Sequence, residues 1–293
     1  MRYLHLLSRV YNRPHLILPE KLEAIRQVIT SRAFGLESAT ELALQDTRAR
    51  QQPSITKSVA VLPIVGTLAK RMGMLEESSG GMSTDRIGQE IDRLMADEQV
   101  GAIVLDIDSP GGESFGVREL SDKIYAARDN RKPIIAVANP EAASAAYYIG
   151  SAAKEFIVTP SGWVGSVGVV MAHTDQSLLN ESLGVKVTYI TAAKYKTEGN
   201  ANEPLSDDAL VYYQSQVDQL YEQFVKDVAR NRATTAAEVR RGYGEGRMLL
   251  AADAKAAGMV DRVDTLENVI AKQTARIQQR NKVRLERLRL DLS

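Results

Sequence analysis

Breaking an acyl bond by nucleophilic attack needs a nucleophile, a group that takes its proton and donors for the oxyanion that develops. The 293-residue sequence has no cysteine and three histidines. His5 and His15 sit near the amino terminus, and His173 closes a predicted strand without an evident carboxylate partner. A Ser–His–Asp arrangement therefore has few candidates, and elimination points to lysine as the base. Two segments carry residues suited to the remaining roles. In DIDSPGGES (106–114) an apolar run enters a Pro–Gly–Gly turn, where glycine backbone can approach a ligand closely. In NPEAASAAYYIGSAA (139–153) Ser144 stands among small residues directly after the run PIIAVA, at the expected start of a helix. Each segment alone reads more readily as ordinary structure, the first as a strand-to-helix turn and the second as a tightly packed Ala/Ser helix. Asp106 and Asp108 lack the further ligands a metal needs, while Tyr147, Tyr148 and Trp163 read as core or pocket wall.

These segments must be held by a scaffold, and its pattern is strand–helix alternation. Short apolar runs at VAVLPIV (59–65), GAIVLDI (101–107), PIIAVA (133–138), EFIV (155–158), GSVGVVMA (165–172) and VKVTYI (185–190) predict strands covered on both faces. Helices are predicted from N-caps at Ser83 and Ser114, and near Asp175. A long helix is predicted over about 207–231, with Leu210, Tyr213, Val217, Leu220, Phe224 and Val228 as its buried stripe. The fold class is α/β with a largely parallel sheet.

Two terminal segments flank this core, giving an expected organisation of 1–56, 57–265 and 266–293. In the first, EKLEAIRQVITSR places Leu22, Ile25, Val28 and Ile29 on one helical face, and a polar stretch runs on to Pro53. It reads as a helical docking arm. In the last, Arg276, Arg280, Lys282, Arg284, Arg287 and Arg289 oppose only Glu286 and Asp291, with Val283, Leu285, Leu288 and Leu292 as an apolar edge. That is a basic amphipathic helix, either solvated or docked on an acidic surface. Lys and Arg total 37 and Asp and Glu total 37, so no whole-protein charge argues for nucleic acid or membrane. The amino terminus lacks an uninterrupted apolar signal core, and no run approaches the ~18–20 apolar residues of a membrane helix. The expectation is a soluble, unexported, cytoplasmic protein.

Read in order, the motifs resemble the signal peptide peptidase A family of Ser–Lys proteases, including its phage head-maturation branch. They are DSPGG at 108–112, AAS with following small residues and YY at 142–148, TP at 159–160, GSVGV at 165–169, KYK at 194–196 and GRMLLAADAKAAGMVDRV at 246–263. The resemblance covers about residues 57–265 and implies the Clp protease/crotonase-like fold. It implies Ser144 as nucleophile, Lys196 as general base, Ser166 as the serine that orients the lysine, and the amides of Gly112 and Ala145 as oxyanion hole. Gly111, Gly165, Val167 and Gly168 become substrate-binding positions, where an extended peptide pairs by strand addition. Where relatives carry glycines after the nucleophile, this chain has Ala145 and Ala146.

The implied chemistry demands an uncharged lysine. With an ordinary pKa of roughly 10.4, about one lysine in a thousand is neutral near pH 7.5, so Lys196 must be desolvated. Lys194 is the rival base and otherwise a solvated loop lysine. No metal, nucleotide or other cofactor is implied. The resemblance further implies a homo-oligomeric ring or dome whose neighbouring subunits complete each site. The implied substrate is a polypeptide, and the first expected role is a prohead protease meeting phage scaffold, portal and capsid proteins inside the prohead. The alternatives are a soluble bacterial signal-peptide or oligopeptide hydrolase, a crotonase-like acyl-CoA enzyme, and an inactive assembly protein.

Overall fold

A computed structural model of the chain describes residues 10–33, 53–72, 81–128 and 132–290. His5, Leu292 and most of the polar stretch before Pro53 lie outside them. In chain order the strands are β1 (Pro14–Ile17), β2 (Ser54–Thr56), β3 (Val59–Val65), β4 (Thr67–Ala69), β5 (Gly81–Ser83), β6 (Ala102–Ser109), β7 (Gly111–Glu113), β8 (Ile134–Ala143), β9 (Glu155–Val158), β10 (Trp163–Gly165), β11 (Val170–Met171), β12 (Met248–Leu250) and β13 (Arg262–Val263). The helices are α1 (Pro19–Ala33), α2 (Thr84–Ala96), α3 (Val117–Ala127), α4 (Ala145–Ser151), α5 (Ser177–Ser182), α6 (Asp207–Asn231), α7 (Ala236–Gly242), α8 (Ala251–Ala256) and α9 (Leu266–Leu290).

The larger sheet runs β12-β10-β8-β6-β3-β2, with β9 and β13 branching beside β8. Its centre, β3, β6 and β8, is parallel, as is each pairing of β8 with β9 and β10. Side-chain alternation explains why both faces of this centre are apolar. Ile103, Leu105 and Ile107 of β6 enter the main core with Ile91 and Leu94 of α2 and Ile124 of α3. Val104 of β6 points the other way with Val59, Ile135 and Val137, beneath Val269 and Ile277 of α9. The carboxy-terminal helix is therefore a structural cover over its first half, and beyond Ile277 its described side chains are exposed.

The smaller sheet runs β11-β1-β7-β4-β5. Its strand β1 comes from the expected amino-terminal arm, and it pairs antiparallel with both β7 and β11.

Several expected elements take their place as read. Ser83 caps α2, its Oγ accepting the Arg86 N–H at 3.4 Å, and Asp207–Asn231 is one helix capped by Ser206. Others differ. The helix expected from Ser114 starts at Val117 behind Gly116, because the Ser114 hydroxyl is engaged elsewhere, donating to the Pro14 carbonyl at 3.0 Å. GSVGVVMA is split between the end of β10 and β11, with residues 166–169 in no strand. VKVTYI is not a strand. It runs along the surface with Val185, Val187 and Ile190 exposed to 51, 42 and 97%, since a strand needs a neighbour and no described segment of this chain supplies one. The stripe on α6 is buried only at its carboxy-terminal end, from Phe224 onward, whereas Leu210 is 54% exposed.

Candidate active site

Ser144 occupies the one-residue junction between β8 and α4. Its backbone sits at φ 51, ψ −110, a region that L residues avoid at a cost of about 1–3 kcal/mol. Two bonds hold it there. The Ser144 N–H donates to the Gly165 carbonyl at 2.8 Å, and the Ser144 carbonyl accepts the Tyr148 N–H at 2.9 Å to open the helix. The Oγ is buried and makes no hydrogen bond among the described residues. A buried hydroxyl left unpaired costs about 1–3 kcal/mol, so strain and an orphan polar atom coincide at one residue.

The Pro–Gly–Gly turn lies directly over this junction. Gly111 has φ 93, and a Cβ there would stand 3.0 Å from the Ala143 carbonyl oxygen and 3.1 Å from the Ala145 nitrogen. A Cβ on Gly112 would run into the backbone of Leu68. Both glycines are thus required by close approach of backbone, and their strand β7 meets the amino-terminal end of α4. Ser109 shapes the turn, its Oγ donating to the Gly66 carbonyl at 2.7 Å and accepting the Gly111 N–H at 3.2 Å. The turn, Ala145, Ser144, Gly165 and Ser166 are thereby gathered within one small region. Ser166 is buried at positive φ, and its N–H is tied to the Arg247 carbonyl at 2.9 Å.

The helix behind the serine is anchored by its two tyrosines. Tyr147 is fully buried and donates from its hydroxyl to the Met259 carbonyl at 3.0 Å. Tyr148 stacks on Phe224, ring centroids 4.6 Å apart, and donates to the buried Asp227 carboxylate. Burial and that carboxylate push the Tyr148 hydroxyl far above the ordinary phenol range. Asp227 also accepts Gln223 Nε2 at 2.9 Å and pairs with Arg118 at 3.3 Å. Both tyrosines are core, while Trp163 is 39% exposed. Asp106 accepts Asn139 Nδ2 at 3.1 Å, and burial raises its carboxyl.

Within the chain Lys196 makes no hydrogen bond to the Ser144 hydroxyl. It lies exposed in the turn 194–199, its N–H donating to the Ala193 carbonyl at 3.2 Å. The turn is fastened by Tyr213 Oη, which donates to the Glu198 carbonyl at 3.2 Å, and by Asn12 Nδ2, which donates to the Gly199 carbonyl at 2.6 Å. The expected desolvation of Lys196 is absent from the isolated chain. Lys194, the rival, is raised above the ordinary lysine value by the Tyr195 hydroxyl, which is the wrong direction for a base.

Asn12, His15, Ser109 and Asp227 were not singled out in the sequence as parts of this region. Two of them have a local signal: Ser109 lies within DSPGG, and His15 lies in PHLIL, an apolar run bracketed by Pro14 and Pro19, which fits a short strand.

Known proteins resemble this sequence. The sequence is 36% identical over 175 residues to the head-tail preconnector protein GP5 of Enterobacteria phage P21, covering 60% of this chain and 35% of that protein. It is 30% identical over 244 residues to capsid assembly protease C of Escherichia phage lambda, covering 77% of this chain and 55% of that protein. Protease 4 of Salmonella typhi is 28% identical over 199 residues, with 67% of this chain and 32% of that protein covered. The chain thus spans from about a third to about half the length of these relatives. The model of peptidase family S49 matches residues 126–280, a stretch that takes in Ser144, Ser166 and Lys196. A match over more than half of the chain, which includes the strained serine, establishes that this protein belongs to peptidase family S49.

Proposed function

We propose that this chain is a serine endopeptidase that cuts scaffold and capsid polypeptides during phage head maturation, with Ser144 as nucleophile and Lys196 as general base. One observation carries the reading: a buried hydroxyl without a hydrogen-bond partner, on a residue held at positive φ where a strand meets a helix. Such a group serves no packing purpose, and strained strand-to-helix turns are a device for presenting nucleophiles. The phage relatives, named for capsid assembly and for the head-tail preconnector, support the biological role. The likeness to Protease 4 supports a bacterial oligopeptide hydrolase as second reading at lower identity.

In this mechanism Ser144 Oγ gives its proton to neutral Lys196 Nζ and attacks the scissile carbonyl carbon. The amides of Ala145 and Gly112 hold the oxyanion. The C–N bond then breaks, the Lys196 ammonium protonates the leaving amine, and a water activated by the same lysine hydrolyses the ester.

The lysine is delivered by assembly. Tyr195 beside it in sequence is 58% exposed, Ile190 and Leu183 earlier in the same stretch are 97 and 65% exposed, and the start of α6, which Lys194 reaches through Asp208, exposes Val211 to 70%. An apolar surface of this kind marks an interface, and a second copy of this chain is the occupant we assign. Covering it removes water from Lys196, as a lysine base requires. Among the described residues no helix is long and apolar enough to cross a membrane.

Labelling with a serine-reactive phosphonate, followed by mapping of the modified residue, tests the reading. Modification at Ser144 that disappears in Ser144→Ala is expected. Modification at another serine, or none in the assembled protein, rejects it.

A further inference from the structure

The strand slot beside Ser144 is already filled by this chain. We propose that β1 is a built-in stand-in for the substrate: Pro14–Ile17 lies between β7 and β11 where a cleavable polypeptide pairs, so turnover requires this strand to leave. The inference rests on the peptidase reading above and extends it to how the site is controlled and what it accepts.

Register carries the argument. On one side His15, Leu16 and Ile17 face Glu113, Gly112 and Gly111, and on the other Pro14 and His15 face Met171 and Val170. Both neighbours flank the serine. β7 reaches it through Gly111, whose missing Cβ would touch the Leu16 carbonyl oxygen and also stand 3.1 Å from the Ala145 nitrogen. β11 follows the Gly165 carbonyl that accepts the Ser144 N–H. A chain segment lying between β7 and β11 therefore passes the oxyanion-forming end of α4.

The topology is that of an added strand. β7, β4 and β5 are mutually parallel, whereas β1 enters antiparallel to both partners from a sequence position far from either. An extended peptide joining two exposed strand edges makes the same bonds. Being covalently attached, β1 has the advantage of high effective concentration.

The strand is also built to detach as a unit. Val10, Ile17, Leu22 and Ile29 form a small apolar cluster of their own, with Ile25 and Val170 against it, and of β1 only Leu16 joins the main core. Beyond the strand pairing, its ties to the rest of the chain include Leu18 N–H to the Pro110 carbonyl at 3.0 Å, Asn12 N–H to the Ala172 carbonyl at 3.1 Å, Ser114 Oγ to the Pro14 carbonyl at 3.0 Å, Asn12 Oδ1 with His173 Nδ1 at 3.1 Å and Arg26 to Thr174 Oγ1 at 3.1 Å. Asn12 Nδ2 also holds the Gly199 carbonyl in the turn that carries Lys196. Release of this segment frees the slot and removes the Asn12 tie on the lysine turn, leaving that of Tyr213. Leu16 and Ile17 are buried on opposite faces, at 4% each, so the slot takes an extended peptide with branched apolar side chains at successive positions.

The test uses the full-length chain with Leu16→Gly and Ile17→Gly combined, and a synthetic peptide of residues 12–19. Phosphonate labelling of Ser144 is expected to rise about tenfold or more over the parent, because the competent fraction limits the apparent rate. Added peptide is expected to return it to the parent rate. The same fluorescently tagged peptide should bind the opened chain carrying Ser144→Ala and not bind Ser144→Ala alone, a readout independent of catalysis. A folded double variant with unchanged or lower labelling and no peptide binding overturns the proposal. Peptide binding without any labelling keeps the slot and rejects the peptidase reading instead. Should the double variant fail to fold, hydrogen exchange on the parent decides. Amides of 111–113 and 170–171 exchanging together and ahead of β6 and β8 support detachment. Exchange only with global unfolding overturns it.

Discussion

Gly111 and Ala145 are separated by less than the room a methyl group needs: a Cβ on Gly111 would lie 3.1 Å from the Ala145 nitrogen. This is where the Pro–Gly–Gly turn touches the residue after Ser144, and it makes Gly111→Ala a test of the site's geometry. The substitution adds strain at φ 93 of about 1–3 kcal/mol and pushes on the proposed oxyanion amide. Labelling of Ser144 is expected to fall by about a hundredfold, with a lower melting temperature. A variant that labels at the parent rate contradicts the placement of this turn over the reacting centre.

Ser144→Ala should separate activity from stability. It removes a buried hydroxyl that has no partner, so thermal unfolding is expected to be unchanged or shifted upward by about 1 kcal/mol, while labelling is lost. Ser144→Gly should stabilise further by relieving the positive φ. A clear loss of stability in Ser144→Ala means that the hydroxyl has a structural partner in solution.

Lys196 is exposed in the single chain, so Lys196→Ala should leave the stability of the dissociated chain unchanged and abolish labelling of the assembled one. Mixing Ser144→Ala with Lys196→Ala subunits before assembly tests who supplies the lysine. If a neighbour supplies it, about a quarter of the sites in a randomly mixed ring are complete and activity reappears. No recovery at any mixing ratio places both groups in one chain.

Tyr148→Phe removes the hydroxyl donor to buried Asp227, leaving that carboxylate with Arg118, Arg230 and Gln223. A destabilisation of about 1–3 kcal/mol is expected in denaturant titrations. The cost should be the same at pH 6 and pH 8, because the Tyr148 hydroxyl stays protonated throughout that range.

His15 makes the seating of β1 sensitive to acid. Burial lowers its pKa below 6.5, with Arg13 adding to the shift and Glu113 and the Val10 carbonyl opposing it. The seated imidazole is thus neutral when the released one takes a proton. Stability is level above about pH 6.5 and declines as pH falls below it, with the sign set by the lowered folded value. Denaturant midpoints measured between pH 8 and pH 5 should show this decline, and His15→Gln should flatten it. An unchanged slope in His15→Gln assigns the acid sensitivity to another group.

The strands at 59–65 and 155–158 and the long helix at 207–231 were legible because each advertises itself locally. An apolar run doubly covered by helices, or a capped helix with acidic residues in its first turn, needs no distant partner to be recognised. Ser144 was legible in the same way, as the residue following an apolar strand and preceding small helix formers. The helix start after Ser114 was not, because the hydroxyl that would cap it bonds to Pro14, about a hundred residues away in sequence.

By itself, then, the sequence determined the alternation of strands and helices and the positions at which a serine, a glycine turn and a lysine stand, since these follow from side-chain periodicity and local backbone preference. Only the tertiary structure decided which backbones meet. It placed Gly111 against Ala145, set β1 between β7 and β11, and left Lys196 and the segment 185–190 on the surface. Pairings of this kind are settled by register and by the competition among strand edges across long loops, and neither quantity is written in any local stretch of residues.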